Sequence, residues 1–243
     1  RFKFQWDPAM WYWGVKFLRQ CTQKNMKVNT LRKHRLSIYS QKCFHQLIDE
    51  TNISYHENKN GLIYFFRTQE SFLEGKQKLA MLSPVMKNLQ LLNQTELLQL
   101  EPTLAKAQTE LFGGIYCSTD ESGSCRDFTL ELVKICRQKG ASFHYNTTIQ
   151  DIEKDKQNII NIITDKGDLQ ADKYVLACAA FSPFIARMVG EYLPIYPVKG
   201  YSITLPILDQ KKAPEHSGID EDNLLAFSLF GDKIRFTSVA EIS

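Results

Sequence analysis

Apolar residues recur at helical spacing twice in the first fifty positions. Trp6, Met10, Trp13, Phe17 and Cys21 lie three or four apart, with Asp7 placed to cap and Pro8 at the first helical position. Leu31, Ile38, Phe44, Leu47 and Ile48 mark a second helix after Asn29. The pattern then shortens. Ile53 to Thr68 reads as two strands around a turn at Asn58–Gly61, with Leu62–Phe66 dense in β-formers. A helix follows from Glu70 to Asn88, interrupted at Pro84, and a short one after Thr95 stops at Glu101 before Pro102. Gly113–Cys117 returns to strand, a polar loop covers 118–125, and a helix from Asp127 to Gln138 is closed by Gly140. Strands are expected at Ser142–Tyr145, Thr148–Glu153 and Ile159–Thr164, then a buried strand at Tyr174–Cys178. That strand passes through small residues into a helix carrying Ile185, Met188 and Val189, the form a sheet-end ligand crevice takes in an α/β fold. Pro194, Pro197 and Gly200 mark a crossing to the half-buried strand Tyr201–Leu205. Asp209–Asp222 reads as a surface loop, and Leu224–Leu229 and Lys233–Val239 as two strands around Gly231–Asp232.

This mixture of helices and strands defines an α/β, or mixed α+β, chain long enough at 243 residues and 43% hydrophobic content to bury one large core or two smaller ones. The longest apolar run is too short to span a bilayer, and the N-terminus lacks a secretory pattern, so a cytoplasmic location is expected. Six widely spaced cysteines without Cys-x-x-Cys read as reduced and mostly buried, and the five histidines lack metal-ligand spacing, so no metal is expected. The net charge of +3 conceals an asymmetry: residues 1–42 hold ten Lys or Arg against one acid, Asp7. Such a block suits an anionic surface, and Trp11, Tyr12 and Trp13 beside Lys16 and Arg19 suit a helix lying at a membrane interface. The same pattern also suits a helix packed on its own domain.

YVLACAAFS (174–182) resembles the Val-x-Ala-x-Gly-x-Trp/Tyr-Ser strand of the D-amino acid oxidase-like FAD-dependent oxidoreductases. PVKGYSIT (197–204) resembles the crossing strand of their D-amino acid dehydrogenase branch. WDPAMWYWGVKFLRQC, YSQKCFHQL, GLIYFFRT, LLQLEPTL, GGIYCSTDESGSCRDFT and IRFTSVAEI match the same family in the same order. The resemblance implies a partial two-domain fold: a helical segment at 1–51, an antiparallel-sheet substrate domain from 52–112 and 195–243, and an FAD-domain segment at 113–194. It also implies FAD, a D-amino acid substrate, oxidative deamination to a 2-oxo acid and ammonia, an electron acceptor such as a membrane quinone or the respiratory chain, and work at the cytoplasmic face of the inner membrane. Nucleic acid is not an expected partner. The Gly-x-Gly-x-x-Gly turn of such enzymes does not occur in this sequence, so the chain reads as an internal fragment that alone binds FAD poorly.

On the resemblance, cofactor contacts fall at Ile149, Ala177, Cys178, Ala179, Ser182 and Gly200. Alanine stands at 179 where the family commonly has glycine, Thr237-Ser238 replaces a usual Gly-Gly, and Leu229 stands where relatives often place arginine. The substrate carboxylate calls for a cation, preferably the forked guanidinium of arginine, and the amine for a tyrosine or carbonyl. Tyr201, Lys199, Arg235 and Arg67 are the expected catalytic residues, and each suits a surface or structural role equally well. Asp120 and Glu121 fit a solvated turn better than an acid–base pair. Two other readings stay open: a glycine or sarcosine oxidase-like amine oxidase, and a non-catalytic remnant binding a membrane or anionic partner through residues 1–42.

Overall fold

A computed structural model describes residues 6–82, 88–106, 110–156 and 158–242. The expected break at Pro84 lies outside the described residues. The described residues divide into two compact units, one of Thr51–Ile135 with Lys199–Glu241, the other of residues 6–50 with Cys136–Val198 and Ile242.

Around one seven-stranded sheet, the first unit assembles β1 (Leu62–Phe66), β2 (Leu89–Asn93), β3 (Gly113–Cys117), β7 (Lys199–Pro206), β8 (Ser217–Asp220), β9 (Leu225–Phe230) and β10 (Lys233–Glu241). Their order is β2-β3-β1-β8-β9-β10-β7, antiparallel except for the parallel pair β1–β8. Period-two alternation gives the sheet two faces. Ile63, Phe65 and Phe227 pack with Leu97 of α4 (Gln94–Leu100), joined by Ile234 and Phe236. Phe66 and Ile115 pack on the other face with Phe72 and Leu79 of α3 (Gln69–Leu82).

Several expectations are corrected here. Leu62–Phe66 is no hairpin arm: the β-rich run pairs with β3 and β8, distant in sequence, because a central position buries both of its faces. Asp209–Asp222 contains β8, a central strand whose Ser217 and Asp220 are each 1% exposed. Polar composition disguised it, since its buried polar groups are all hydrogen-bonded. Gly113–Cys117, expected to open the FAD-domain segment, belongs to this sheet, which absorbs 113–135 into the first unit.

In the second unit, Asp7 caps α1 (Pro8–Gln20) as expected, accepting from the amides of Ala9 at 2.9 Å and Met10 at 3.4 Å. The Tyr196 hydroxyl donates to the same carboxylate at 2.9 Å and, with those amides, holds it below the usual range. Trp13 lies against Tyr196, and Tyr12 meets Tyr192 edge-on. The long α2 (Gln23–Thr51) buries no residue. A three-stranded sheet of β4 (Ile149–Lys154), β5 (Ile159–Thr164) and β6 (Gly167–Leu169) follows, and α6 (Ser182–Met188) forms as expected. Ser142–Tyr145 is not a strand. Nor is Tyr174–Cys178: Val175 is 88% exposed, and no described strand lies alongside to complete a ladder. Cysteine burial is also corrected, since all six thiols are free but Cys21, Cys43, Cys125 and Cys178 are exposed.

Candidate functional site

The register of β7, β9 and β10 separates the expected catalytic residues. Residues directly opposite on antiparallel strands share a face. Arg235 faces Thr204 and Ser228, and two residues on, Thr237 faces Ser202 and Ala226. This makes a patch of small hydroxyl side chains around one guanidinium. The alternating β10 sequence builds it, because Ile234 and Phe236 turn to the α4 core and leave Arg235 and Thr237 on the other side.

Arg235 is half-buried. Its Nε donates to Thr204 Oγ1 at 2.9 Å, and its guanidinium carbon stands 5.0 Å from the Phe230 ring centroid. Among the described residues no carboxylate lies within ion-pair distance of it. Its partners are neutral, so the charge is uncompensated locally and the fork retains donors for a carboxylate.

Lys199 and Tyr201 lie on the opposite face. Tyr201 is paired with Ser238 and Lys199 with Glu241, across a register shift at Val239. Lys199 Nζ is 3.8 Å from Glu241 Oε1, and the Tyr201 hydroxyl donates to Glu241 Oε2 at 3.4 Å. The Tyr201 hydroxyl first, and then Glu241, push the Lys199 ammonium above its usual pKa, which keeps it protonated. Arg67 is bound elsewhere. Its Nε donates at 2.7 Å to buried Asp220, and its amide to Asp222 at 2.6 Å. Burial would raise the Asp220 pKa, but hydrogen bonds from Asn223 and Arg67 outweigh it and hold the carboxyl below the usual range. Arg67 therefore ties the end of β1 to the β8–β9 turn. Leu229, opposite Ile234, falls on the face away from Arg235.

The expected cofactor contacts also sort by local structure. Ile149 is half-buried at the start of β4, and Ser182 is 6% exposed at the start of α6. Ala177, Cys178 and Ala179 are exposed, with small side chains and backbone outside any strand. Ala179 takes φ +45°, left-handed backbone that favours glycine. A Cβ at Gly200 would meet nothing within 4 Å, whereas at Gly113 it would lie 2.7 Å from the Leu92 carbonyl oxygen. Packing explains Gly113, and no protein atom explains Gly200. An accessible, small-residue backbone at 177–179 and open space over Gly200 both fit contact with a bound group.

Sequence reasoning missed one polar centre. Glu101 is 1% exposed and accepts from the Thr103 amide and hydroxyl, the Glu215 and His216 amides, and the His216 ring. A glutamate set between leucines just before a proline was its available signal.

Residues 9–241 match the model of the DAO family, described as FAD dependent oxidoreductase. A D-amino acid dehydrogenase of Paramagnetospirillum magneticum is 36% identical over 241 residues, covering 98% of this chain and 57% of the relative. D-amino acid dehydrogenase 2 of Mesorhizobium japonicum is 34% identical, with 99% of this chain and 58% of the relative covered. The chain thus spans a little over half the length of these relatives. Among solved structures, glycine oxidase from Geobacillus kaustophilus shares the fold at TM-score 0.71 and 22% identity, over 81% of this chain and 51% of that one. L-proline dehydrogenase from P. horikoshii does so at 0.70 and 16%, over 83% and 54%. The mixed α/β architecture is that of a partial FAD-oxidoreductase fold, and the chain belongs to the DAO family of FAD-dependent oxidoreductases.

Proposed function

We propose that the protein containing this chain oxidises D-amino acids to 2-oxo acids and ammonia with FAD as its cofactor. The observation that carries the reading is Arg235, a half-buried guanidinium on a hydroxyl-lined sheet face with no acidic partner among the described residues. Relatives named D-amino acid dehydrogenase over 98% of this chain supply the reaction class. Bound FAD would supply the acceptor for the hydride of the substrate α-carbon, and addition of water to the resulting imino acid would give the 2-oxo acid and ammonia.

Within that reaction Arg235 receives the substrate carboxylate through its unused N–H fork, and Thr204 fixes the guanidinium plane through the Nε bond. Ser202, Ser228 and Thr237 offer hydroxyls that donate or accept as the bound substrate requires. Lys199 is held protonated and paired with Glu241, which suits it poorly to act as a base. The backbone of Ala177–Ala179, with Ser182 and Ile149, and the open face of Gly200 are the cofactor contacts we assign within their respective units.

The test is anaerobic mixing of the full-length, flavin-loaded protein with D-alanine or L-alanine. Bleaching of the flavin band by the D-isomer alone supports the reading. Bleaching by glycine or sarcosine but not D-alanine would replace it with the amine-oxidase reading.

The electron acceptor belongs to the same proposal: a membrane quinone or respiratory carrier, reached from the cytoplasmic face through peripheral contact by α1. Exposed Trp11, Phe17 and Leu18 beside Lys16 and Arg19 support that contact, and no helix among the described residues is long and apolar enough to cross a membrane. Reversing the charges of Lys16, Arg19 and Lys24 should abolish binding to anionic vesicles, and unchanged binding would remove this part of the proposal.

A further inference from the structure

Beneath α3, on the sheet face that packs against it, lies a cavity of about 220 Å³. Tyr64, Phe66, Leu79, Leu89 and Ile115 form its apolar walls. Gly75 brings α3 close at this point, since a Cβ there would fall 2.5 Å from the Phe66 ring. The space exceeds the roughly 150 Å³ that accommodates benzene in an engineered apolar cavity, leaving room for a ring and a short chain.

The polar groups of the lining are unequal in sign. Asp120 and Glu221 bring two carboxylates, while Lys78 brings one ammonium, 62% exposed and 3.6 Å from Glu221. Tyr64 completes the set. Burial first, and then the charge of Asp120, push its phenol up to about 12, so it stays a neutral donor. Among the described residues the lining therefore carries one net negative charge above an apolar floor. A cation satisfies that field, whereas a carboxylate would be repelled by Asp120.

We propose that this cavity is a binding site for small organic ammonium compounds with an aryl or alkyl body and no carboxylate. The body fills the space between Phe66, Leu79 and Ile115, and the ammonium pairs with Asp120. Its selectivity opposes that proposed for the hydroxyl patch around Arg235, which takes a carboxylate. The inference does not rest on the redox reading.

The test uses the full-length, flavin-loaded protein and 2-phenylethylamine as probe, with 3-phenylpropionate as the charge-inverted control, followed by calorimetry and ligand-observed NMR. Saturable amine binding is expected, with no binding of the acid. Asp120→Asn should weaken the amine by about tenfold, the loss of one charge-assisted contact. Ile115→Phe should abolish binding by filling the cavity, and D-amino acid turnover should be unchanged in both variants. If Ile115→Phe fails to fold, Asp120→Asn decides alone. No saturable binding, equal binding of amine and acid, or an affinity unmoved by Asp120→Asn would overturn the proposal.

Discussion

Replacing Glu101 with glutamine tests the polar centre that joins the end of α4 to the entry of β8. Its two oxygens divide five hydrogen bonds. Oε1 accepts from the Thr103 amide and hydroxyl, and Oε2 from the Glu215 amide at 2.9 Å, the His216 amide at 3.0 Å and His216 Nδ1 at 3.1 Å. A carboxylate only accepts, so the His216 proton sits on Nδ1. Glutamine keeps one acceptor oxygen and sets an NH₂ against the remaining donors. Whichever oxygen is lost, at least one backbone N–H is orphaned in a site 1% exposed. One orphaned donor costs about 1–3 kcal/mol, and the loss of charge on the other bonds adds about 1 kcal/mol. The expected destabilisation is about 2–4 kcal/mol, or roughly 5–15 °C in Tm for a unit of this size. The pH dependence gives a second check. Burial raises the Glu101 pKa, but the hydrogen bonds from Thr103, His216 and Glu215 outweigh it, so the folded value lies below the ordinary 4.5. A depressed folded value means the stabilisation is fully present above 4.5 and is lost as pH falls through the folded pKa. Thermal melts of both proteins should therefore differ most near neutrality and converge in acid. A gap under about 0.5 kcal/mol at neutral pH, the range of an ordinary surface change, would refute the reasoning.

Three further outcomes follow from the same geometry. Arg67→Met and Asp220→Asn should each cost about 2–4 kcal/mol, and the double variant less than their sum, because either single change strands a buried polar partner; additive losses in a double-mutant cycle would deny the coupling. Gly113→Ala should destabilise by about 1–3 kcal/mol or prevent folding, since its Cβ has no room beside the Leu92 carbonyl oxygen, and an unchanged melt would contradict that packing. Gly200→Ala should leave the melt of the flavin-free protein within about 0.5 kcal/mol yet weaken flavin retention, and unaltered retention would remove Gly200 from the cofactor contacts.

Local signals were legible where the chain solves its own problem. The Asp7–Pro8 start of α1, the Gly140 stop at φ +91° and the Gly231–Asp232 turn all follow from capping and backbone rules that need no distant partner. Long-range pairing was not legible. Leu62–Phe66 carried its β character openly, but nothing nearby revealed that its neighbours are Gly113–Cys117 and Ser217–Asp220. β8 was hidden because Ser217 and Asp220 are buried through hydrogen bonds rather than apolarity. Tyr174–Cys178 shows the reverse case, a sequence with strand pattern that has no described neighbour to pair with. For the site, the residue types were legible and their faces were not. Tyr201, Lys199 and Arg235 all lie on adjoining strands, and only the register separates Arg235 from the other two. Arg67 likewise became identifiable as structural only once Asp220 was found beside it.

That separation of faces is the point on which the functional account turns, and Arg235→Met compared with Lys199→Met measures it directly. In full-length, flavin-loaded protein, Arg235→Met should lower kcat/KM for D-alanine by roughly 100- to 1,000-fold, the loss of a charge-assisted bidentate contact of about 3–4 kcal/mol. Lys199→Met, on the opposite face and already paired with Glu241, should stay within about threefold of the unaltered protein. A small effect at Arg235 together with a large one at Lys199 would place the substrate on the other side of the sheet and contradict the assignment.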